Sequence, residues 1–179
     1  MTTTITLDEL TGDFALDTTY TRIGFVAKHT MGSRVRGEFG DFTGTAHLDA
    51  DPAKFRAELT LRTHSIDTGN EQRDGLLRDK FLHADTYPTL TFLATAAART
   101  GATTLAVTGD LIIRSVRKPV TVEFELSEVG TGPGGSRRIQ LRGATTIDRN
   151  DWGVNWNAAT GLMVSKKVTL DFEVIALGR

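Results

Sequence analysis

The stretch TLAVTGDLIIRSVRKPVTVEFEL, residues 104–126, alternates apolar and polar positions in two runs separated by a short polar break. Leu105, Val107, Gly109, Leu111 and Ile113 form one apolar row, and Val120, Val122, Phe124 and Leu126 form the next. Period two marks a strand with one buried and one wetted face, because successive strand side chains point to opposite sides. The same pattern extends in both directions. Ile23, Phe25 and Ala27, the run FTGTAHLDA over 42–50, then Phe55, Ala57, Leu59 and Leu61, and Leu90, Phe92 and Ala94 precede it. Ile139, Leu141, Gly143, Thr145 and Ile147, and finally Val168, Leu170, Phe172 and Val174, follow it.

These runs give about eight long strands. Arg99-Thr100-Gly101-Ala102 and GTGPGG, Gly130 to Gly135, sit between runs where hairpin connections belong, so neighbours are antiparallel. Closing eight strands into a barrel removes the exposed edges that invite aggregation. The fold expected is therefore an all-β antiparallel eight-stranded barrel, with a two-sheet sandwich as the alternative.

Composition narrows the function classes. The 179 residues suit one domain with its own core. Net charge is −1 with Lys and Arg scattered, which does not suit nucleic acid. Cysteine is absent, excluding disulfides, thiolate chemistry and Cys-ligated zinc. No run approaches the roughly 18 apolar residues of a membrane span. MTTTITLDELTG has no basic start and no apolar run, so no secretory signal is read and a cytoplasmic protein is expected. Residues 1–12 read as a flexible lead into a single domain over 13–179.

RDGLLRDKFL, Arg73 to Leu82, interrupts the strands. Asn70 can cap a short helix around residues 70–83, with Leu76, Leu77 and Phe81 on one side and Arg73, Asp74, Arg78, Asp79 and Lys80 on the other. A helix this short needs an apolar bed. Either it plugs one barrel end as core, or Leu76, Leu77 and Phe81 wall a ligand tunnel with Arg73, Lys80 and Tyr87 near its mouth.

The chain resembles the YceI-like family nearly end to end. The most specific piece is IDTGNEQRDGLLRDKFLHADTYPTLTF, Ile66 to Phe92; FALDTTYTRIGFVAKHTMGSRVRGEFGDFTGTAHLD, VTGDLIIRSVRKPVTVEFEL and ATTIDRNDWGVNW carry further signatures, with Ser115-Val116 departing from the usual step. The resemblance implies a lipocalin-like barrel that binds a polyisoprenoid. With the inward rows, it points to Phe25, His29, Phe39, Phe42, Arg73, Leu76, Leu77, Lys80, Phe81, Tyr87, Phe92, Leu111, Trp152 and Trp156 as ligand contacts.

Other motifs fail on their chemistry. GTGPGG fits a nucleotide-loop pattern in letters, but Pro133 and a following strand replace the helix N-terminus that would meet a pyrophosphate. DRNDWG begins like a calcium loop, yet Trp152 occupies the third oxygen position. His29, His47, His64 and His83 lack zinc-pair spacing; His29, following the Phe25 row, is read as either a polar ligand contact or a satisfied core histidine. His64 and Ser65, being adjacent in a strand, would face opposite ways. No catalytic constellation, metal or cofactor is expected.

Trp152 and Trp156 fall on one face of an extended chain and either close a barrel end or line a pocket. Ala27, Ala57, Ala94, Gly109 and Gly143 are small inward positions, which suggest that a narrow apolar channel survives. At roughly 0.8 kcal/mol per buried methylene, a tail of about a dozen carbons gains on the order of 10 kcal/mol. The function expected is binding of an isoprenoid-tailed lipid, a polyprenyl phosphate or quinone, for storage, transport or sequestration. The alternatives are an enzyme acting on such a lipid and an interaction module, including a homodimer, pairing through an outer face near Val26 and Leu93.

Overall fold

The computed structural model describes residues 6–29, 32–155 and 164–179. The alternating rows become strands β1 (Gly12–Leu16), β2 (Arg22–His29), β3 (Arg34–Phe39), β4 (Phe42–Leu48), β5 (Arg56–Arg62), β6 (Ile66–Asp67), β7 (Thr89–Arg99), β8 (Thr104–Ile113), β9 (Val116–Thr131), β10 (Arg137–Asp148) and β11 (Val164–Gly178). Three of the barrel's strands are broken. β1 with β2, β3 with β4, and β5 with β6 each act as one bent strand, so eleven segments make eight strands, every one antiparallel to its sequence neighbour. β11 closes the ring, pairing with β10 along one side and with β2 and β1 on the other. Closure rules out the sandwich and leaves the barrel wall without a free edge.

Burial in β8 alternates strictly from Thr104 to Ile113, with Leu105, Val107, Gly109, Leu111 and Ile113 inside. Two irregularities shift the phase elsewhere. The β7–β8 register slips between Ala94 and Ala96, and the β10–β9 register slips between Gln140 and Leu141. Each extra residue changes which later positions face in, so Ala97 and Val129 pack against the core.

The interior divides into two clusters. One fills the end where the helical insert lies, around Ile23, Phe42, Leu61, Ile66, Phe81, Leu82, Ile113, Trp152 and Val154. The other lies towards the opposite end, around Leu7, Leu10, Phe14, Leu48, Phe55, Leu105, Ile139 and Ala176. Residues 6–12 therefore differ from the loose lead read in the sequence. A 3-10 turn over Leu7–Glu9 holds Leu7 and Leu10 inside, at 5% and 1% exposure, and the Leu7 N–H donates to the Ala102 carbonyl at 3.1 Å.

The insert forms α1 (Glu71–Leu76), continued by a wide π turn over Leu77–Phe81. Asn70 caps it, its side-chain oxygen accepting from the Arg73 N–H at 3.0 Å. Asp74, buried at 4% exposure, accepts from the Thr68 N–H at 2.9 Å and from the Thr68 hydroxyl, which anchors the helix to the preceding loop.

An apolar cavity as the candidate functional site

Inward side chains in an eight-stranded barrel either fill it or leave space for one small ligand. Here both outcomes occur, one at each end. A cavity of about 120 Å³ lies towards the end opposite the insert and reaches to Ile23, Val122 and Phe172 of the insert-end cluster. Its lining is apolar except for Thr45 and Glu58, both on the outward face of their strands.

The space has a specific origin. Ala46, Ala57, Ala94 and Gly109 are cross-strand partners in one row through β4, β5, β7 and β8. Phe14 of β1 continues the row on one side. Ala46 and Ala57 line the cavity, and longer side chains at either position would occupy it.

Glycine accounts for none of the space. A Cβ on Gly109 would come within 2.8 Å of the Phe92 ring, and one on Gly143 within 2.6 Å of the Phe124 ring. Gly37 seats the Phe25 ring in the same way. Each glycine is a seat for a phenylalanine ring, so the expectation that Gly109 and Gly143 open the channel is corrected.

The ligand contacts expected from sequence fall mostly elsewhere. Phe92 lines the cavity; Phe25, Phe39, Phe42, Leu77, Phe81, Leu111 and Trp152 belong to the packed cluster at the insert end. Phe25 and Phe39 stack with centroids 6.0 Å apart. Trp152, 3% exposed, donates its indole N–H to the Leu111 carbonyl at 2.8 Å and closes that end.

Among the described residues the insert packs into the barrel end, and neither Leu76, Leu77 nor Phe81 lines the cavity. Leu76 is half-buried outside the cavity lining, Lys80 is exposed, and Tyr87 lends its carbonyl to the Thr63 hydroxyl at 2.8 Å. Arg73 turns back on its own loop, its Nε donating to the Thr68 hydroxyl at 2.8 Å and Nη2 to the Thr68 carbonyl at 2.9 Å. The expectations on the His29 side chain and on Trp156 lie outside the described residues.

The other lining residues escaped the sequence-based candidates: Leu7, Phe14, Leu16, Leu48, Phe55, Ile139, Val174 and Ala176 among them. Several sit on alternating rows that were legible; their position at the hollow end was not.

Charge is spent at the packed end. The Arg149 guanidinium donates to the Val154 carbonyl at 2.6 Å and the Ser165 carbonyl at 3.2 Å, and lies 5.8 Å from the centre of the Phe81 ring. Burial lowers its pKa from the ordinary range, against the raising effect of the Asp148 carboxylate. Among the described residues, no group of three or more His, Asp or Glu is placed to hold a metal ion, and no helix is long and apolar enough to cross a membrane. His64 meets Asp85 at 3.1 Å, and the Ser65 hydroxyl donates to the Arg62 carbonyl.

A closed antiparallel barrel with a buried apolar cavity is the architecture of a small-ligand-binding protein of the lipocalin type. The YceI-like domain model matches residues 14–176, and the chain belongs to that family. A UPF0312 protein of Pseudomonas syringae pv. tomato is 31% identical over 151 residues, 83% of this chain and 79% of that protein. The crystal structure of Burkholderia cenocepacia BcnA superimposes with a TM-score of 0.79 at 25% identity, covering 89% of this chain and 98% of BcnA. A polyisoprenoid binding domain from Saccharophagus degradans, implicated in plant cell wall breakdown, shares the fold at a TM-score of 0.76 and 18% identity, over 93% of this chain and 98% of that domain.

Proposed function

We propose that the protein binds an isoprenoid-tailed lipid, a polyprenyl phosphate or a quinone, for storage, transport or sequestration. The observation that carries this reading is the cavity itself: lined by Phe, Leu, Ile, Val and Ala side chains, with Glu58 the one titratable group among the described lining residues and that residue facing outward. An apolar guest gives up no hydrogen bonds by entering such a space. A charged or hydrogen-bonding one would shed its hydration without replacement. Membership of the YceI-like family and the polyisoprenoid-binding name of one structural neighbour point to the same chemistry.

Volume bounds how much of the tail the resting barrel takes. Its cavity of about 120 Å³ is close to the roughly 150 Å³ of an engineered apolar cavity that admits benzene. That is room for about one prenyl unit, whose five carbons contribute about 4 kcal/mol at roughly 0.8 each. The sequence-based figure for a dozen carbons applies only if core side chains such as Leu7 yield.

Purification without detergent followed by mass spectrometry of extracted lipid tests the reading, together with titration of delipidated protein with farnesol, geranylgeraniol and a straight-chain alcohol. Uptake of the branched prenyl alcohols is expected. A barrel that carries no lipid and takes up none of the three refutes the proposal. Among the described residues the cavity presents no titratable group to the apolar tail, which favours binding over chemistry on the tail. The cytoplasmic setting and a homodimer belong to this proposal too, and are tested by cell fractionation and light scattering.

A further inference from the structure

We propose that the barrel admits its ligand sideways, through a port at the break between β1 and β2 that the Leu16 side chain closes, and that a polar depression outside the port seats the head of the ligand. This rests on the lipid-binding reading above.

The wall is paired between β1 and β4 only as far as Ala15 with Thr45, and pairing resumes between β2 and β3 at Ile23 with Phe39. Residues 17–21 lie between those points as a tight turn drawn onto β11. The Asp17 N–H donates to the Ile175 carbonyl at 2.8 Å, and the buried Thr21 hydroxyl both donates to the Ile175 carbonyl and accepts from its N–H, at 3.0 and 2.9 Å. A chain pulled towards β11 leaves its β4 side without a ladder.

The gap is filled by one side chain. Leu16 lies over Gly44 so closely that a Cβ at residue 44 would sit 2.6 Å from Leu16 Cδ1 and 2.9 Å from Cγ. Leu16 and Gly44 line the inner cavity and also an outer depression of about 250 Å³. Thr18, Thr43, Thr60, Glu58 and Arg179 give that depression its polar character.

Inside is apolar space without polar partners; outside are hydroxyls, one guanidinium and one carboxylate, with a single leucine between. That sequence of environments matches an amphiphile lying tail inward. With one cation and one acid, hydrogen bonding holds the head more than net charge does. A rotamer change at Leu16 connects the two spaces and leaves every strand pair intact, whereas admission through the barrel end would require lifting Leu7 and Leu10 out of the core.

The absence of cysteine permits a clean test by reversible cross-linking. Oxidised L16C/G44C locks the port, and oxidised T6C/A102C locks the barrel end without altering the cavity lining, where the peptide N–H of Leu7 already meets the Ala102 carbonyl. Stopped-flow association of dansyl-labelled farnesol is then followed for each. The port lock is expected to slow association at least tenfold relative to its own reduced form, and the end lock to give the same rate oxidised and reduced. Slowing by the end lock alone, or by neither, overturns the port. L16A serves if the cysteine pair does not fold: it should associate several-fold faster than wild type, and an unchanged rate counts against the port. Equilibrium titration of wild type keeps the two readings apart. A wild type that binds the probe while the rates ignore the port refutes the port alone; one that never binds refutes both.

Discussion

Filling the cavity from its own wall should raise stability and lower affinity together. Ala57 is the position of choice, since it lines the space and its cross-strand partners on both sides, Ala46 and Ala94, are small. A57L adds three carbons to a void of about 120 Å³. At about 0.8 kcal/mol per carbon the transfer gain is at most about 2.4 kcal/mol. Ordering the leucine side chain returns about 0.5–1 kcal/mol of that, so a net stabilisation of about 1–2 kcal/mol is expected. The guest loses the same space, and a loss of about 2.4 kcal/mol corresponds to roughly 50-fold weaker binding. Urea unfolding reads the first effect and farnesol titration the second. The opposite signs carry the test: a destabilised A57L that binds farnesol as wild type does would mean that the space is not where the ligand goes.

Two further substitutions probe the packing. W152F keeps most of the buried ring area and removes the N–H that meets the Leu111 carbonyl; it should cost about 1–3 kcal/mol in urea unfolding through the lost hydrogen bond and lost volume, with farnesol affinity unchanged because Trp152 lies outside the cavity lining. G109A places a methyl 2.4 Å from the Leu93 carbonyl oxygen and 2.8 Å from the Phe92 ring. It should cost about 1–3 kcal/mol, and a calorimetric Tm equal to or above wild type would contradict the account of Gly109 as a ring seat.

Much of the barrel was legible because alternation is a local signal. The rows of β8, β9, β10 and β11 appear in the letters as they do in the structure, and the Asn70 cap was readable from its spacing to the helix. What escaped was non-local. The slips near Ala94 and Gln140 reverse the inward face part-way along a strand without any change in composition. Gly109 and Gly143 looked like vacancies because the rings that fill them, Phe92 and Phe124, come from neighbouring strands whose register is set by the fold. Leu7 and Leu10 sit in a stretch with no periodicity at all, so nothing local marked them as core. The apolar, helix-like insert drew the candidate site towards itself for the same reason: an amphipathic segment announces that it covers something, but not whether that something is hollow.

The hollow end and the packed end make sense as one economy of stability. At roughly 24 cal/mol per Å³, a void of about 120 Å³ costs about 3 kcal/mol. That is a large fraction of the 5–15 kcal/mol by which domains are usually stable. The compensating interactions concentrate outside the cavity lining: the Trp152 N–H on Leu111, Arg114 on the Gly153 carbonyl at 2.6 Å, and Arg149 on Val154 bind the loop after β10 to the barrel and insert. The opposite end is held by the burial of Leu7 and Leu10, the Leu7 contact with Ala102, and Arg99 on the Ala50 carbonyl at 2.7 Å. A barrel arranged this way can change shape around a guest in one half while the other holds the topology, and the guest itself returns the cost of the void on binding.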